Sequence, residues 1–277
     1  MSKQDVRFIE LSARDRAKGL LDAGSYRELL EPFDFVMSPW LEPQGIVPQA
    51  DDGMVVAQGT INGRRSVVVA IEGVFQGGSM GEISGAKMAA ALDLAAEDCA
   101  NGKITQAVLC LETGGVRLQE ANLGLAAIAD IHAAIVNLRR YVPVIGIVAG
   151  TVGCFGGMSI AAALCSRLIV TREARLGLNG PQVIEQEAGI AEYDSRDRPF
   201  IWSMTGGEAR ARNGFVDYLA EDSLQDIRSA VIDFIEKGRP ESLRCERYDE
   251  FLNRLVSFDT SKQVNADMVT ELFAEGA

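Results

Sequence analysis

Three times in succession this chain runs from a short apolar strand through a glycine-rich turn into a helix, and that order constrains its fold more than any other feature. The predicted strand at 67–71 leads through GVFQGGSMG into a helix over 84–100. The strand at 107–111 leads through ETGGVR into a helix over 118–138, and the strand at 144–148 leads through AGTVGCFGG into a helix over 158–164. The glycine pairs of these turns end at Gly78, Gly115 and Gly157, 37 and 42 residues apart, a loose internal repeat without a strict solenoid period. Adjacent glycines at a helix start let the backbone turn its N–H groups toward a ligand with no Cβ in the way, and the helix dipole adds partial positive charge. Such a turn can serve as an oxyanion hole. Any single pair reads equally well as a tight strand-to-helix turn, and three in register favour the hole.

One of these units poses a problem of its own. Residues 141–166 carry no charge over 26 positions and are flanked by Arg139, Arg140 and Arg167, long enough for a membrane helix. Pro143 near the start, five glycines in the middle and the β-branched VPVIGIV favour a buried strand, a turn and a buried helix instead. The net charge of −12 repels phosphate backbones and anionic headgroups, so neither nucleic acid nor a membrane is an expected partner. The opening MSKQDVRFIE has no apolar core, so no secretory signal is expected. Five cysteines, odd in number and never spaced C-x-x-C, suit reduced core thiols of a cytoplasmic protein and support neither a disulfide framework nor a structural metal.

Around the repeat, residues 11–30 carry apolar positions at helical spacing, with Ser12 and Asp15 as a capping box and Gly24 as a break. Asn62-Gly63 between two β-branched runs predicts a hairpin over 54–72. Short strands are expected at 167–170 and 174–180, a polar surface excursion over 185–214, and amphipathic helices at about 223–236 and 241–255. No G-x-G-x-x-G or G-x-x-x-x-G-K-[ST] occurs, so dinucleotide and P-loop sites lack support. Residues 77–81, GGSMG, match the G-x-S-x-G nucleophile elbow. A triad there needs a histidine late in the chain, and the only one is His132, inside the apolar helical pattern IADIHAAIVNL, where it reads as a helical histidine without a chemical role.

FQGGSMGEISGAKM (75–88), ETGGVRLQEA (112–121), AGTVGCFGGMSIA (149–161) and GPQVIEQ (180–186), in that order, resemble the carboxyltransferases of acyl-CoA carboxylases in their β-subunit or N-terminal half, a branch of the crotonase superfamily. LLDAGSYRELL (20–30) is similar to that family's entry helix, and EYDSRDRPFIWSMTGG (192–207) is the local cue for the β subunits of biotin-independent malonate decarboxylases. No cysteine precedes Cys99, so the four-cysteine zinc ribbon of the bacterial acetyl-CoA carboxylase β subunit has no counterpart, and the usual Ser-Gly-Gly-Ala-Arg stands here as Thr113-Gly114-Gly115-Val116-Arg117.

The resemblance implies an α/β, crotonase-like (ClpP/crotonase) fold of repeated strand–helix units, a single carboxyltransferase-like domain over 1–277. It implies decarboxylation of a malonyl thioester to an acetyl thioester, with a biotin-dependent acyl-CoA carboxyltransferase as the alternative. No cofactor is expected on this chain; the substrate would ride on the CoA-like prosthetic group of an acyl carrier protein. The implied partners are a homologous γ subunit that completes the site, the acyl carrier protein (δ) and an acyl carrier protein transferase (α). Gly114 and Gly115 would hold the enolate oxygen, and Gly156 and Gly157 would shape a second hole or the floor of the acyl pocket. Gly77, Gly78, Ser79, Met80, Gly81 and Arg117 would line the thioester and pantetheine approach. An acidic carrier would need a basic patch such as Arg64-Arg65 or Arg139-Arg140.

Overall fold

A computed structural model describes residues 6–45, 47, 51–259 and 264–273. The first five residues of the opening segment, on which the expectation about a secretory signal partly rests, lie outside the described residues. A seven-stranded sheet in simple chain order organises the described residues: β1 (Arg27–Leu29), β2 (Met54–Ile61), β3 (Arg64–Ile71), β4 (Gln106–Cys110), β5 (Val144–Val148), β6 (Arg167–Thr171) and β7 (Tyr218–Ala220). β1 to β3 pair antiparallel and β3 to β7 pair parallel. The hairpin turns where the sequence says it should, because Asn62 and Gly63 both take positive φ, at 49° and 72°.

The inner parallel strands carry buried apolar runs, 67–71 on β3, 107–110 on β4 and Val144–Val148 on β5, because both faces are covered. On β3, Val67, Val69 and Ile71 point one way and Val68 and Ala70 the other. The first set packs with Leu109 beneath α2 (Glu82–Ala100), α3 (Asn122–Leu138) and α4 (Gly157–Leu164), against Met88, Leu92, Ile131 and Ile135. The second packs with Val108 and Ile145 against α1 (Ala13–Leu20) and α8 (Leu224–Lys237), through Ala17, Leu20, Ile227 and Val231. Residues 141–166 are therefore buried strand, turn and buried helix, and among the described residues no helix is long and apolar enough to cross a membrane.

Several expectations need correction. The helix expected over 11–30 stops at Leu20; Ser12 caps it by accepting from the Asp15 N–H, and after Gly24 the chain forms β1 against β2. Residues 174–180 form isolated bridges instead of a strand. The excursion over 185–214 is largely helical: α5 (Pro181–Ala188), α6 (Arg198–Thr205) and α7 (Gly207–Arg212). The last expected helix begins only at Tyr248 in α9 (Tyr248–Val256), after a 3-10 turn, and α10 (Ala266–Phe273) follows it.

Candidate active site

All three glycine turns lie at the C-terminal ends of β3, β4 and β5, where ligands of open α/β sheets bind. Backbone bonds stitch them together. Met80 donates to the Gly115 carbonyl at 2.8 Å, Thr113 to Gly153 at 2.7 Å, and Phe155 to Thr113 at 3.0 Å. The second and third turns meet at their glycines: a Cβ on Gly156 would lie 3.2 Å from the Gly115 Cα, and Gly115 sits at φ +115°.

Their N–H partners separate the four glycines expected to form a hole. Gly114 donates to the Gly77 carbonyl at 2.9 Å and Gly156 to the Leu178 carbonyl at 2.7 Å, so both are committed to the scaffold. Gly115 donates only to the Thr113 hydroxyl of its own turn, at 3.1 Å, a bond a rotating side chain can release. Gly157 opens α4, where a helix leaves its first N–H groups without intrahelical acceptors, and no described residue accepts from it. The N–H of Gly114, expected as a donor, is thus held by a backbone acceptor, while the N–H groups of Gly115 and Gly157 have no backbone acceptor among the described residues.

Beside this junction lies a cavity of about 720 Å³, within the range of small-molecule sites, lined by Gly77, Ser79, Gly114, Val116 and Arg117. Its outer wall is the segment with Val36, Met37 and Leu41. Of the residues expected along the substrate approach, Gly77, Ser79 and Arg117 line this cavity. Gly78 is buried against the Glu112 backbone, Met80 is fully buried in the core, and Gly81 caps α2 with its Cα against the Glu120 carboxylate. Motif spacing had no means of telling which of five consecutive residues face the cavity.

Arg117 reaches the cavity as a buried side chain. It is 7% exposed, and its guanidinium is spent on the wall. Nε donates to Ser79 Oγ at 3.3 Å, Nη1 to Glu120 at 2.9 Å, and Nη2 to the carbonyls of Ser79 and Asp52 at 2.8 and 3.1 Å, with Phe75 stacked 5.5 Å away. It positions Ser79 and the Asp52 strand end and presents little charge to a ligand. Glu120 in turn accepts from the Glu82 N–H at 2.7 Å, a carboxylate at the N-terminus of α2 where the dipole favours it. Asp52 faces the cavity and pairs with the buried Lys87 at 3.1 Å. Burial raises the Asp52 pKa above the ordinary carboxylate value, with Lys87 opposing the shift. Sequence reasoning missed Asp52, Lys87 and Glu120, whose only signal was charge adjoining glycine motifs. In the two expected basic patches, Arg65 pairs with Asp98 at 2.8 Å and Arg139 donates to the Leu164 carbonyl at 2.9 Å, while Arg64, Arg65 and Arg140 stay exposed.

His132 is on α3, with Nε2 2.8 Å from the Gly157 carbonyl, and Ser79 Oγ is held by Arg117. A Ser–His nucleophile pair is absent, which removes the elbow reading.

The geometry coincides with what the comparisons find. The carboxyl transferase domain matches residues 10–241, most of the chain and all of the glycine turns. The chain belongs to that family. Its crotonase-like α/β sheet is the fold the family carries. A carboxyl transferase relative from Malonomonas rubra, a malonyl-S-ACP:biotin-protein carboxyltransferase, is 41% identical over 86% of this chain and 78% of its own length. A chain of a Pseudomonas malonate decarboxylase hetero-tetramer, crystallised with malonate, is 65% identical with a TM-score of 0.93, covering 97% of this chain and 98% of that one. A carboxyl transferase more distant in sequence, the transcarboxylase 12S solved with methylmalonyl-coenzyme A, is 29% identical with a TM-score of 0.67, over 80% of this chain and 41% of that one.

Proposed function

We propose that this chain is the β subunit of a biotin-independent malonate decarboxylase, a carboxy-lyase that converts a malonyl thioester on an acyl carrier protein to the acetyl thioester and CO₂. The observation that supports the chemistry is the pair of N–H groups without a backbone acceptor, Gly115 and Gly157, on turns that meet at Gly115 and Gly156, with the neighbours of Gly115, Gly114 and Val116, lining the cavity. Loss of CO₂ breaks the bond between the carboxylate carbon and the α-carbon and leaves its electron pair on the α-carbon. That pair is tolerable only as an enolate, with the charge on the thioester oxygen. Donors fixed before the reaction stabilise this developing charge without reorganisation, and losing one costs roughly 10²- to 10³-fold in rate. A proton added to the α-carbon then gives the acetyl group.

Gly77 and Ser79 line the cavity through which the pantetheine arm would approach, Gly78 and Gly81 hold the turn against Glu112 and Glu120, and Arg117 braces the wall. The chain acts as one carboxyltransferase-like domain in the cytoplasm, binds no cofactor of its own, and shares its site with a homologous γ subunit. The acyl carrier protein (δ) and its transferase (α) complete the assembly. The match to a malonate decarboxylase chain over nearly the full length of both supports this reading over others.

A second reading rests on the relative that passes a carboxyl group to a biotin protein, since the same donors serve an enolate formed for carboxyl transfer. CO₂ release from a malonyl thioester, measured on this chain copurified with its native partners with and without avidin, separates the two. Release unaffected by avidin is expected; release that avidin blocks assigns the chain to biotin-dependent transfer, and no release in either case removes both.

A further inference from the structure

The C-terminal end of β4 carries a carboxylate that the reaction does not use. Glu112 is 6% exposed and is gripped by two neighbouring segments. From α1, the Arg16 guanidinium pairs with its Oε2. From the turn after β5, the Val152 N–H and the Thr151 hydroxyl donate to its Oε1 at 3.3 and 3.4 Å. Arg16, 3% exposed, is itself anchored by donating from Nε to the Phe8 carbonyl at 3.2 Å, with the Phe8 ring 5.1 Å away.

Glycines make the room for this acid. A Cβ on Gly73, just beyond β3, would come within 2.6 Å of the Glu112 Cδ, and one on Gly150, just beyond β5, would overlap the carboxylate. A Cβ on Gly78 would overlap the Glu112 carbonyl. The ends of three adjacent strands therefore close around one side chain. Stability alone is a poor reason for the arrangement, because a buried ion pair is often no more stabilising than apolar residues of the same volume, whereas breaking one by removing a partner is costly.

Position is the better reason. Thr113, the next residue, bonds the Gly115 N–H through its hydroxyl and the Gly153 and Phe155 backbone through its own. Glu112 joins the same two turns from behind, through Thr151 and Val152. We propose that Glu112, clasped by Arg16, is a positioning residue that fixes the spacing between the Gly115 turn and the Gly156–Gly157 turn, and with it the two enolate donors. The inference rests on the oxyanion role of Gly115 and Gly157. It extends that role to α1, which reaches the glycine turns through this pair.

The test uses the complex of this chain with its native partners and a malonyl thioester. Glu112→Gln keeps the volume of the side chain and removes its charge; it lowers kcat about 10- to 100-fold, a fraction of what losing a donor outright costs, with KM nearly unchanged. Arg16→Lys, which keeps the charge, recovers more of the rate than Arg16→Met. The double variant Arg16→Met/Glu112→Gln leaves no buried charge unpaired, so its melting temperature returns toward that of the unsubstituted protein while kcat stays low. A double variant with full kcat, or a Glu112→Gln effect confined to KM, overturns the proposal. Amide exchange at Gly115 and Val152 reads the clasp without activity: it speeds up in Glu112→Gln while amides of the central strands stay protected, and unchanged exchange also overturns it. If the unsubstituted complex releases no CO₂, the functional reading fails by itself, and the exchange experiment still decides the clasp.

Discussion

At Gly115 the backbone φ of +115° is the quantity at stake, because a Cβ there would meet only ordinary contacts, with the Gly156 Cα and Phe155 carbonyl both at 3.6 Å. A β-branched residue is strained at that angle by about 1–3 kcal/mol, so Gly115→Val should reorient the N–H without unfolding the chain. CO₂ release falls by at least about 10²-fold while the far-ultraviolet circular dichroism stays unchanged, and undiminished release would remove Gly115 from the hole. Arg117 gives a second test at this scale. If its role were charge toward a substrate, Arg117→Lys would be mild; because it spans Ser79, Glu120 and Asp52 with a planar fork, lysine cannot replace it. The expected result is a KM for the thioester raised about tenfold or more, equal to the loss of roughly 1.4 kcal/mol of binding, and a KM matching that of the unsubstituted chain would contradict the bracing role. The glycines were legible in sequence because only backbone freedom explains their pairing. The duties of Met80, Gly81 and Arg117 were not, since a motif fixes neighbours along the chain and leaves the direction of each side chain to packing.

At the scale of elements, legibility followed the amount of local information. The β2–β3 hairpin could be read because Asn62-Gly63 demands positive φ at both positions, and β3, β4 and β5 because their apolar runs lead into glycine turns, whereas β7 had no such signal. Residues 25–30 and 174–180 were misread because their conformation is decided by partners far away: the first gains its strand from β2, and the second is pinned by single bridges to Cys154 and Gly206. The helices of 185–214 were missed because polar residues mask short amphipathic turns; Asp197 caps α6 by accepting from the Phe200 N–H, a signal that was present in the sequence. His132 shows how one residue couples two elements, since it reaches from α3 to the carbonyl of the first residue of α4. The bond holds the peptide after Gly157 and leaves the Gly157 N–H itself untouched. His132→Ala is therefore expected to cost about 0.5–1.5 kcal/mol in urea unfolding while kcat changes little, and a large loss of kcat would draw α3 into the chemistry.

Across the whole molecule, the two faces of the sheet divide the work: α1 and α8 close one side, α2, α3 and α4 the other, and the glycine turns collect at the single edge where the strands end together. This division also sets the chemistry of the thiols. All five cysteines are free; Cys99, Cys110, Cys154 and Cys165 are buried in the sheet and its helices, and Cys245 is exposed beside Arg139. Burial disfavours the thiolate, pushing the thiols of Cys110 and Cys165 up to about 12 and that of Cys154 upward as well. Alkylation requires both access and the thiolate, so Cys110, Cys154 and Cys165 are protected twice. Iodoacetamide applied to the native chain at about pH 7 to 9 should label Cys245 alone, and raising the pH within that range should recruit neither Cys110 nor Cys165, because both remain thiols well below their shifted values. In denaturant the shift disappears with the burial, and all five label. Peptide mass spectrometry reads the pattern, and labelling of Cys110 or Cys154 in the native protein would mean that the sheet opens on the timescale of the reaction. Such opening would reach the glycine turns, since Cys110 stands two positions before Glu112 and the Cys154 Sγ donates to the Met158 carbonyl of α4 at 3.3 Å. Glu112→Gln, which leaves the central strands closed, is expected to leave both thiols unlabelled in the native protein.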